Sequence, residues 1–305
     1  MKVLVLDENF SEYRRLLAAA GVAADAAADP ANHLGGHDVL LAQPDLAARY
    51  LELGGEVDWI QSTWAGIDRL LPAGLGRELV VTGVKGIFGP QMAEYVFAFL
   101  LQQSRDLLFY RAEQEGRRWS PRRPSPLAGQ TMAILGTGTI GSHIAGVARA
   151  FGMRTRGVSR SARPVAQFDR VCSMEQVTDA TRQAQVLVNA LPGTAQTRGV
   201  LNAALLDTLD PAATLFNLGR GEALCESSLQ RWLDSRPRSM AVLDVFASEP
   251  LPADHWLWRH PRSRITPHVA AVSFPADVVG IFLDNLERRQ RGEPLRYMID
   301  LQRGY

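Results

Sequence analysis

The chain has 305 residues, of which 46% are apolar and 21% charged. This length predicts two domains or one large α/β unit, and the composition excludes a mainly disordered chain. The 33 lysines and arginines nearly balance the 32 acidic residues, which leaves a net charge of +1. The charge therefore does not favour nucleic acid or an anionic membrane as a partner.

Hydropathy and cysteine usage indicate the compartment. No stretch approaches the roughly 18 unbroken apolar residues of a membrane-spanning helix. The apolar start of the chain is too short for a signal peptide and reaches Asp7 and Glu8 at once, so it predicts a buried first strand. Cys172 and Cys225 lie far apart without a CxxC pair, which suits a reducing environment. We expect a cytoplasmic protein.

Short apolar runs alternate with helical patterns in the first third of the chain, which predicts a parallel sheet built of βα units. The predicted strands are 3–6, 38–42, 58–61 and 79–82, and the predicted helices include 12–20 and 45–53. One long helix is expected from Pro90 to about Glu115. Three prolines interrupt residues 117–126, where arginines flank Trp119. In a neutral protein this segment favours a domain linker or subunit contact over a nucleic-acid site.

A stronger alternation follows and predicts a second doubly wound sheet. Its predicted strands are 131–135, 155–158, 185–190, 214–218, 240–245 and 264–266. Its predicted helices are 139–151, 175–183, 202–208, 226–234 and 275–291.

A glycine-rich loop follows the strand predicted at 131–135 and opens the next helix. It reads Gly136-Thr-Gly138-Thr139-Ile140-Gly141. In this context the first glycine permits a tight turn, the second lets the backbone approach a pyrophosphate, and the third lets helix and strand pack closely. The helix N-terminus offers free N–H groups to phosphate. The loop predicts a dinucleotide site.

The turn after the next strand bears on the choice of dinucleotide. NAD-binding proteins usually place an acidic residue there for the ribose 2′-hydroxyl. This chain has none, and instead places Ser159, Arg160, Ser161 and Arg163 there. Hydroxyl and guanidinium groups would bind a 2′-phosphate, which predicts NADP(H) over NAD(H). The alternative is a solvated polar turn in an arginine-rich protein.

Three later strands are each followed by polar residues at the end where doubly wound sheets carry their chemistry. These residues are Arg220, Asp244 with Glu249, and His268. Each segment taken alone also fits an ordinary loop.

Taken together and in this order, the segments resemble the D-2-hydroxyacid dehydrogenase family, and within it the NADPH-dependent glyoxylate/hydroxypyruvate reductase A group. The resemblance covers nearly the whole chain. It rests on the SRS turn and on residues 64–68 (WAGID), 91–95 (QMAEY), 249–252 (EPLP), 257–258 (LW), 265–271 (ITPHVAA) and 303–305 (RGY).

The resemblance implies hydride transfer from a nicotinamide to the keto carbon of a 2-oxoacid. His268 would be the general acid, Glu249 would orient its ring and favour the protonated form, and Arg220 would pair with the substrate carboxylate. Asp244 would contact the nicotinamide carboxamide. Further cofactor contacts are implied for the glycine loop and for Leu191, Pro192, Thr197 and Gly219.

The resemblance also implies that backbone donors at Trp64, Ala65 and Gly66 bind the substrate carboxylate. Trp64 itself either walls the substrate pocket or packs beneath the loop. No metal is needed for hydride transfer, and the other five histidines show no ligand spacing, so we expect no metal.

The implied fold is two doubly wound parallel-sheet (Rossmann-like) domains with the active cleft between them. The expected substrate domain is 1–98 plus 275–305, and the dinucleotide-binding domain is 99–274. A homodimer is expected from the family. The predicted function is NADPH-dependent reduction of glyoxylate or hydroxypyruvate. The alternatives are the same reaction on a larger 2-oxoacid, or a nicotinamide-sensing binding protein without turnover.

Overall fold

The computed structural model describes residues 1–70 and 79–301. The chain divides into two compact units, Met1–Ile87 with Ser273–Tyr305, and Phe88–Val272. The first boundary lies before the expected residue 98, because the helix that begins at Phe88 packs Val96 and Phe97 into the core of the second unit. Residues 303–305, which contribute to the resemblance, lie outside the described residues.

The first unit is built on a five-stranded parallel sheet in the order β2-β1-β3-β4-β5. Its strands are β1 Val3–Leu6, β2 Ala24–Ala27, β3 Val39–Ala42, β4 Trp59–Ser62 and β5 Val80–Thr82. Helices α1 Phe10–Ala19 and α2 Pro44–Glu52 connect strands along the chain. β2 was not predicted: its sequence, ADAA, has none of the β-branched or aromatic residues that mark strands.

The C-terminal helix, α9 Pro275–Gln290, belongs to the first unit. Its Phe282 is fully buried and stacks on Trp59 of β4 with ring centroids 5.3 Å apart. Asn285 of α9 donates to Gln61 of β4 over 3.2 Å. Apolar stacking and a buried hydrogen bond thus anchor the returning chain to the sheet.

The second unit carries a seven-stranded parallel sheet in the order β12-β11-β10-β9-β6-β7-β8. Its strands are β6 Thr131–Leu135, β7 Arg154–Val158, β8 Arg170–Cys172, β9 Val186–Asn189, β10 Thr214–Asn217, β11 Met240–Leu243 and β12 Ser263–Ile265. The short strand β8 was not predicted. Strand order reverses between β6 and β9, which is the switch point where such sheets bind ligands.

Helices flank the second sheet: α3 Phe88–Ser104, α4 Leu107–Glu115, α5 Thr139–Ala150, α6 Val177–Thr181, α7 Ala203–Leu206 and α8 Glu226–Ser235. Alternate strand residues enter separate apolar clusters, with Leu187 and Leu215 in one and Val188 and Phe216 in the other, as the two-residue period of a strand requires. The single helix expected from Pro90 to Glu115 is wrong. It breaks at Asp106, whose φ of 52° leaves the right-handed helix.

The fold class expected from the sequence, with two parallel α/β sheets of Rossmann-like type, is confirmed for both units. In the part of the chain that the structure describes, no helix is long and apolar enough to cross a membrane.

Candidate active site

The expected site residues of the second unit lie in loops at one edge of its sheet, because the carboxyl ends of parallel strands meet there. In sheet order, the loop after β7 holds Ser159, the loop after β6 holds Gly136, and the loop after β9 holds Leu191. Arg220 follows β10, and His268 follows β12 at the end of the row. The expected cofactor contacts therefore centre on the switch point, and the expected reacting groups lie to one side of it.

The three glycines of the loop after β6 differ in what surrounds them. Gly136 has a φ of +104°, and a side chain there would lie 2.9 Å from the carbonyl oxygen of Ala190. A Cβ at Gly141 would lie 1.9 Å from the carbonyl oxygen of Gly136, so the fold itself requires glycine at both positions. Gly138, the residue that caps α5, has open space around it. That space at a helix N-terminus fits a pyrophosphate.

The turn after β7 places Ser159 beside β8, with its amide donating to the carbonyl of Cys172 over 3.0 Å. Its hydroxyl oxygen is buried and, among the described residues, has no hydrogen-bond partner. Arg160, Ser161 and Arg163 are exposed around it. A buried hydroxyl next to exposed guanidinium groups can bind a phosphate group of a ligand.

Buried asparagines align the loops after β9 and β10. Asn189 donates to Asn217 over 2.8 Å and accepts from the amide of Leu191. A Cβ at Gly219 would lie 2.4 Å from the Leu191 carbonyl oxygen, so the two loops touch through their backbones. Beyond Leu191, the Thr197 hydroxyl donates to the carbonyl of Pro192 over 2.7 Å and fixes the loop. The contacts of Leu191, Pro192, Thr197 and Gly219 with a cofactor stay predictions.

Arg220 is half-buried, and one of its guanidinium nitrogens donates to the carbonyl of Gly219 over 2.9 Å. The next residue, Gly221, leaves no room for a side chain, because a Cβ would lie 1.9 Å from the backbone of Phe246. The loop that carries Arg220 is thereby packed directly on the loop after β11, which carries Glu249.

Glu249 and His268 form a hydrogen-bonded pair, with 2.9 Å between Oε2 and Nδ1. A carboxylate can only accept, so Nδ1 carries the proton and Nε2 is left for a ligand. The second carboxylate oxygen accepts from the amide of Phe246 over 2.8 Å. The imidazole is 51% exposed. An oriented, accessible imidazole of this kind can deliver a proton from Nε2.

Asp244 is almost fully buried, and both of its carboxylate oxygens bind the segment that carries His268. Oδ1 accepts from the Thr266 hydroxyl at 2.6 Å and from the amide of Val269 at 2.9 Å, while Oδ2 accepts from the amide of Ala270 at 3.0 Å. The resemblance implied a contact with the carboxamide of the cofactor, which stays a prediction. What the structure adds is that Asp244 shapes the loop of the proposed general acid.

The residues expected to bind the substrate carboxylate follow β4 in the first unit. Trp64 is 41% exposed, and its role, either as a wall of the substrate pocket or as packing beneath the loop, stays a prediction. The Ser62 side chain is hydrogen-bonded to both the amide and the carbonyl of Trp64. Thr63 donates to the buried Asp7 over 2.9 Å. The loop of Trp64, Ala65 and Gly66 is thus fixed at its start by side chains of the sheet edge.

Other polar candidates have partners elsewhere. His255 pairs with Glu226 at 3.1 Å and His260 with Asp234 at 3.5 Å, which ties the loop before β12 to α8. Within residues 1–70 and 79–301, no three His, Cys, Asp or Glu side chains are grouped as a cation site. Both Cys172 and Cys225 are free thiols.

Comparison with known proteins identifies the family of this chain. Residues 97–270 match the family model described as D-isomer specific 2-hydroxyacid dehydrogenase, NAD binding domain. The chain belongs to the D-isomer specific 2-hydroxyacid dehydrogenase family, and it is an oxidoreductase. The resemblance drawn from the sequence motifs is confirmed.

Individual relatives and solved structures show which members of the family this chain resembles. The chain is 36% identical over 265 residues to the glyoxylate/hydroxypyruvate reductase A of Salmonella heidelberg, covering 85% of this chain and 84% of that one. A family protein from Aeromonas salmonicida shares 42% identity, with a TM-score of 0.92 and coverage of 98% and 99%. The NADPH-dependent glyoxylate/hydroxypyruvate reductase of Sinorhizobium meliloti, solved with NADP and sulfate, shares 28% identity, with a TM-score of 0.86 and coverage of 100% and 99%.

Proposed function

We propose that this enzyme reduces a small 2-oxoacid, of the glyoxylate or hydroxypyruvate type, to the 2-hydroxyacid with NADPH. The observation that carries the proposal is the Glu249–His268 pair, held at the same sheet edge as Arg220 and the glycine loop. The reductases of Salmonella heidelberg and Sinorhizobium meliloti support the substrate class.

The reaction requires a proton donor and a carboxylate partner. When bound, the reduced nicotinamide supplies a hydride to the keto carbon, and negative charge develops on the carbonyl oxygen. His268 donates the proton from Nε2 to that oxygen, and the Glu249 carboxylate stabilises the positive charge of the ring before transfer. Arg220 pairs with the substrate carboxylate and polarises the carbonyl, because a guanidinium stays charged and offers two parallel donors. The family resemblance implies that backbone donors at residues 64–66 bind the substrate carboxylate.

NADPH is favoured over NADH by the turn at residues 159–163. An acidic residue there would repel a 2′-phosphate, whereas hydroxyl and guanidinium groups bind it. The Ser159 hydroxyl, which is buried and has no hydrogen-bond partner within residues 1–70 and 79–301, supports a phosphate partner. Structures of the relatives from Sinorhizobium meliloti and Xanthobacter autotrophicus contain NADP and NADPH.

We also propose a homodimer, formed through α4 and the segment that follows it. Leu107 and Leu108 of α4 are each about half exposed, and Trp119 is 97% exposed. Such apolar surface is stabilised by burial against a second subunit. Light scattering at micromolar concentration would give twice the chain mass, and Trp119→Ala with Leu108→Glu would shift the mass toward one chain. A wild-type monomer would refute the dimer.

Cys172 and Cys225 are both free thiols, which supports a cytoplasmic location, because thiols persist in a reducing compartment. No membrane or nucleic-acid partner is proposed.

The proposed function is tested by following the loss of reduced-nicotinamide absorbance in four reaction mixtures. Glyoxylate and hydroxypyruvate are each combined with NADPH or NADH. We expect rapid turnover of one or both acids and a clear preference for NADPH. An equal or greater kcat/KM with NADH would refute the cofactor assignment. Turnover confined to larger 2-oxoacids would refute the substrate class, and NADPH binding without any turnover would indicate a sensor.

A further inference from the structure

One helix contacts the segment that carries His268 at both of its ends. We call residues 266–272 the His268 segment. At its far end, Gln91 of α3 accepts from the Val272 amide at 3.0 Å and donates to the Val272 carbonyl at 2.9 Å. At its near end, the Tyr95 hydroxyl lies 2.6 Å from the Thr266 hydroxyl. Gln91 and Tyr95 are one turn apart and share a face of α3.

The direction of the hydrogen bonds at the near end is determined. Thr266 has a single hydroxyl proton, which it donates to the carboxylate of Asp244 over 2.6 Å. Tyr95 must therefore donate to Thr266. Burial raises the pKa of Tyr95 to about 12, so its hydroxyl keeps this proton throughout the neutral range. A chain of donors thus runs from Tyr95 through Thr266 to Asp244.

This chain of hydrogen bonds ends on the backbone around His268. The Asp244 carboxylate accepts from the amides of Val269 and Ala270, and its backbone carbonyl accepts from the amide of His268 over 2.9 Å. His268 has a φ of 57°, the left-handed region that a residue with a Cβ rarely adopts. Such a conformation persists only when several contacts fix it.

We propose that Gln91 and Tyr95 are positioning residues that hold His268 in its working conformation, Tyr95 by way of Thr266 and Asp244. The proposal rests on the proposed function, in which His268 is the proton donor. Core packing of α3 does not depend on the polar atoms of these two residues, because Ala93, Val96 and Leu100 supply its buried apolar face. Removing one hydroxyl should therefore leave the protein folded and lower kcat.

The experiment compares Tyr95→Phe, Thr266→Val and the double variant with the wild type. Each single variant is expected to lower kcat about tenfold, since small misplacements of a catalytic group are costly, and to leave KM for NADPH within about twofold. Thr266→Ser retains the hydroxyl and should restore most of kcat. The double variant should be no slower than Thr266→Val, because both changes break one chain. A loss of kcat of about a hundredfold in the double variant, the product of the two single losses, would show that Tyr95 and Thr266 do not act through one chain of hydrogen bonds.

Gln91→Leu tests the far end and should also lower kcat with KM for NADPH retained. Tyr50→Phe is the matched control, because Tyr50 is a buried tyrosine of the first unit whose hydroxyl donates to the Glu56 carbonyl. It should leave kcat unchanged. A Tyr95→Phe enzyme with wild-type kcat would overturn the proposal.

A readout without turnover separates this proposal from the proposed function. Histidine ring signals are recorded by NMR on protein labelled at histidine, and the His268 signal is assigned by its loss in His268→Gln. Tyr95→Phe should shift or broaden this signal and leave the other five in place. An unmoved His268 signal would refute the positioning role. A wild type that reduces no 2-oxoacid would instead refute the proposed function, whatever the NMR result.

Discussion

Glu249 and His268 are joined by a 2.9 Å hydrogen bond from Nδ1 to Oε2, and Glu249 is itself oriented by the amide of Phe246. The pair lies at the end of the sheet edge that also carries Arg220. The ring therefore presents Nε2, the atom that would meet a substrate oxygen.

Glu249→Gln keeps the size of the side chain but removes the charge that stabilises a protonated ring. We expect kcat to fall about 100-fold, the lower range for a lost acid catalyst, with KM for NADPH nearly unchanged. Glu226→Gln is the matched control, because Glu226 of α8 pairs in the same way with a histidine, His255, at 3.1 Å. Steady-state kinetics of both variants checks this. Equal, small effects of the two substitutions would contradict the role given to Glu249.

Two glycines of the loop after β6 can be tested separately, because the fold requires Gly141 whereas the ligand is expected to require Gly138. Gly141→Ala places a Cβ 1.9 Å from the Gly136 carbonyl oxygen and should destabilise the protein by about 1–3 kcal/mol, as overpacking does. Gly138→Ala meets open space, so its Tm should match the wild type while NADPH binding weakens at least about tenfold.

Thermal unfolding and NADPH fluorescence titration measure the two effects. Tight NADPH binding by Gly138→Ala would show that the pyrophosphate does not lie against this residue.

Thr63→Val tests the start of the loop expected to bind the substrate carboxylate. The substitution leaves a buried oxygen of Asp7 without its donor and should cost about 1–3 kcal/mol of stability. Because Trp64 follows directly, KM for the oxoacid should rise more than KM for NADPH. Thr63→Ser, which keeps the donor, is the control. If Thr63→Val destabilises the protein but leaves KM for the oxoacid unchanged, this loop does not take part in substrate binding.

Cys225 is expected to be the reactive thiol of the chain. Hydrogen bonds from Ser228 and then Ser227 lower the pKa of its thiol to about 7, whereas Cys172 is buried. Because the thiolate is the reactive form, alkylation by iodoacetamide should rise with pH and reach half its maximum near pH 7. Mass spectrometry of labelled peptides reads this out. Ser228→Ala should move the midpoint to higher pH, and faster labelling of Cys172 would contradict the assignment.

The sequence predicted most of the fold, because buried parallel strands form short apolar runs between helical patterns. Strands 3–6 and 131–135 match the structure at both ends. The edge strand Ala24–Ala27 lacks that signal, since its residues are small or charged. The break at Asp106 was missed because no glycine or proline marks it, although Asp tolerates the left-handed region better than most residues.

The site was predictable to the extent that strand ends locate it. Arg220, Glu249 and His268 each follow a strand, so the common sheet edge places them in one row. Contacts between distant side chains could not be predicted this way. Tyr95 and Thr266 lie 171 positions apart, and the packing of α3 within the second unit brings them together.

The most direct test of the account is kcat of His268→Gln measured beside its affinity for NADPH. Because His268 is placed as the proton donor and not as a cofactor contact, kcat on glyoxylate or hydroxypyruvate should fall about 100-fold or more. The Kd for NADPH should stay within about twofold of the wild type, a change of less than about 0.5 kcal/mol. A His268→Gln enzyme with wild-type kcat would contradict the assignment of the proton donor.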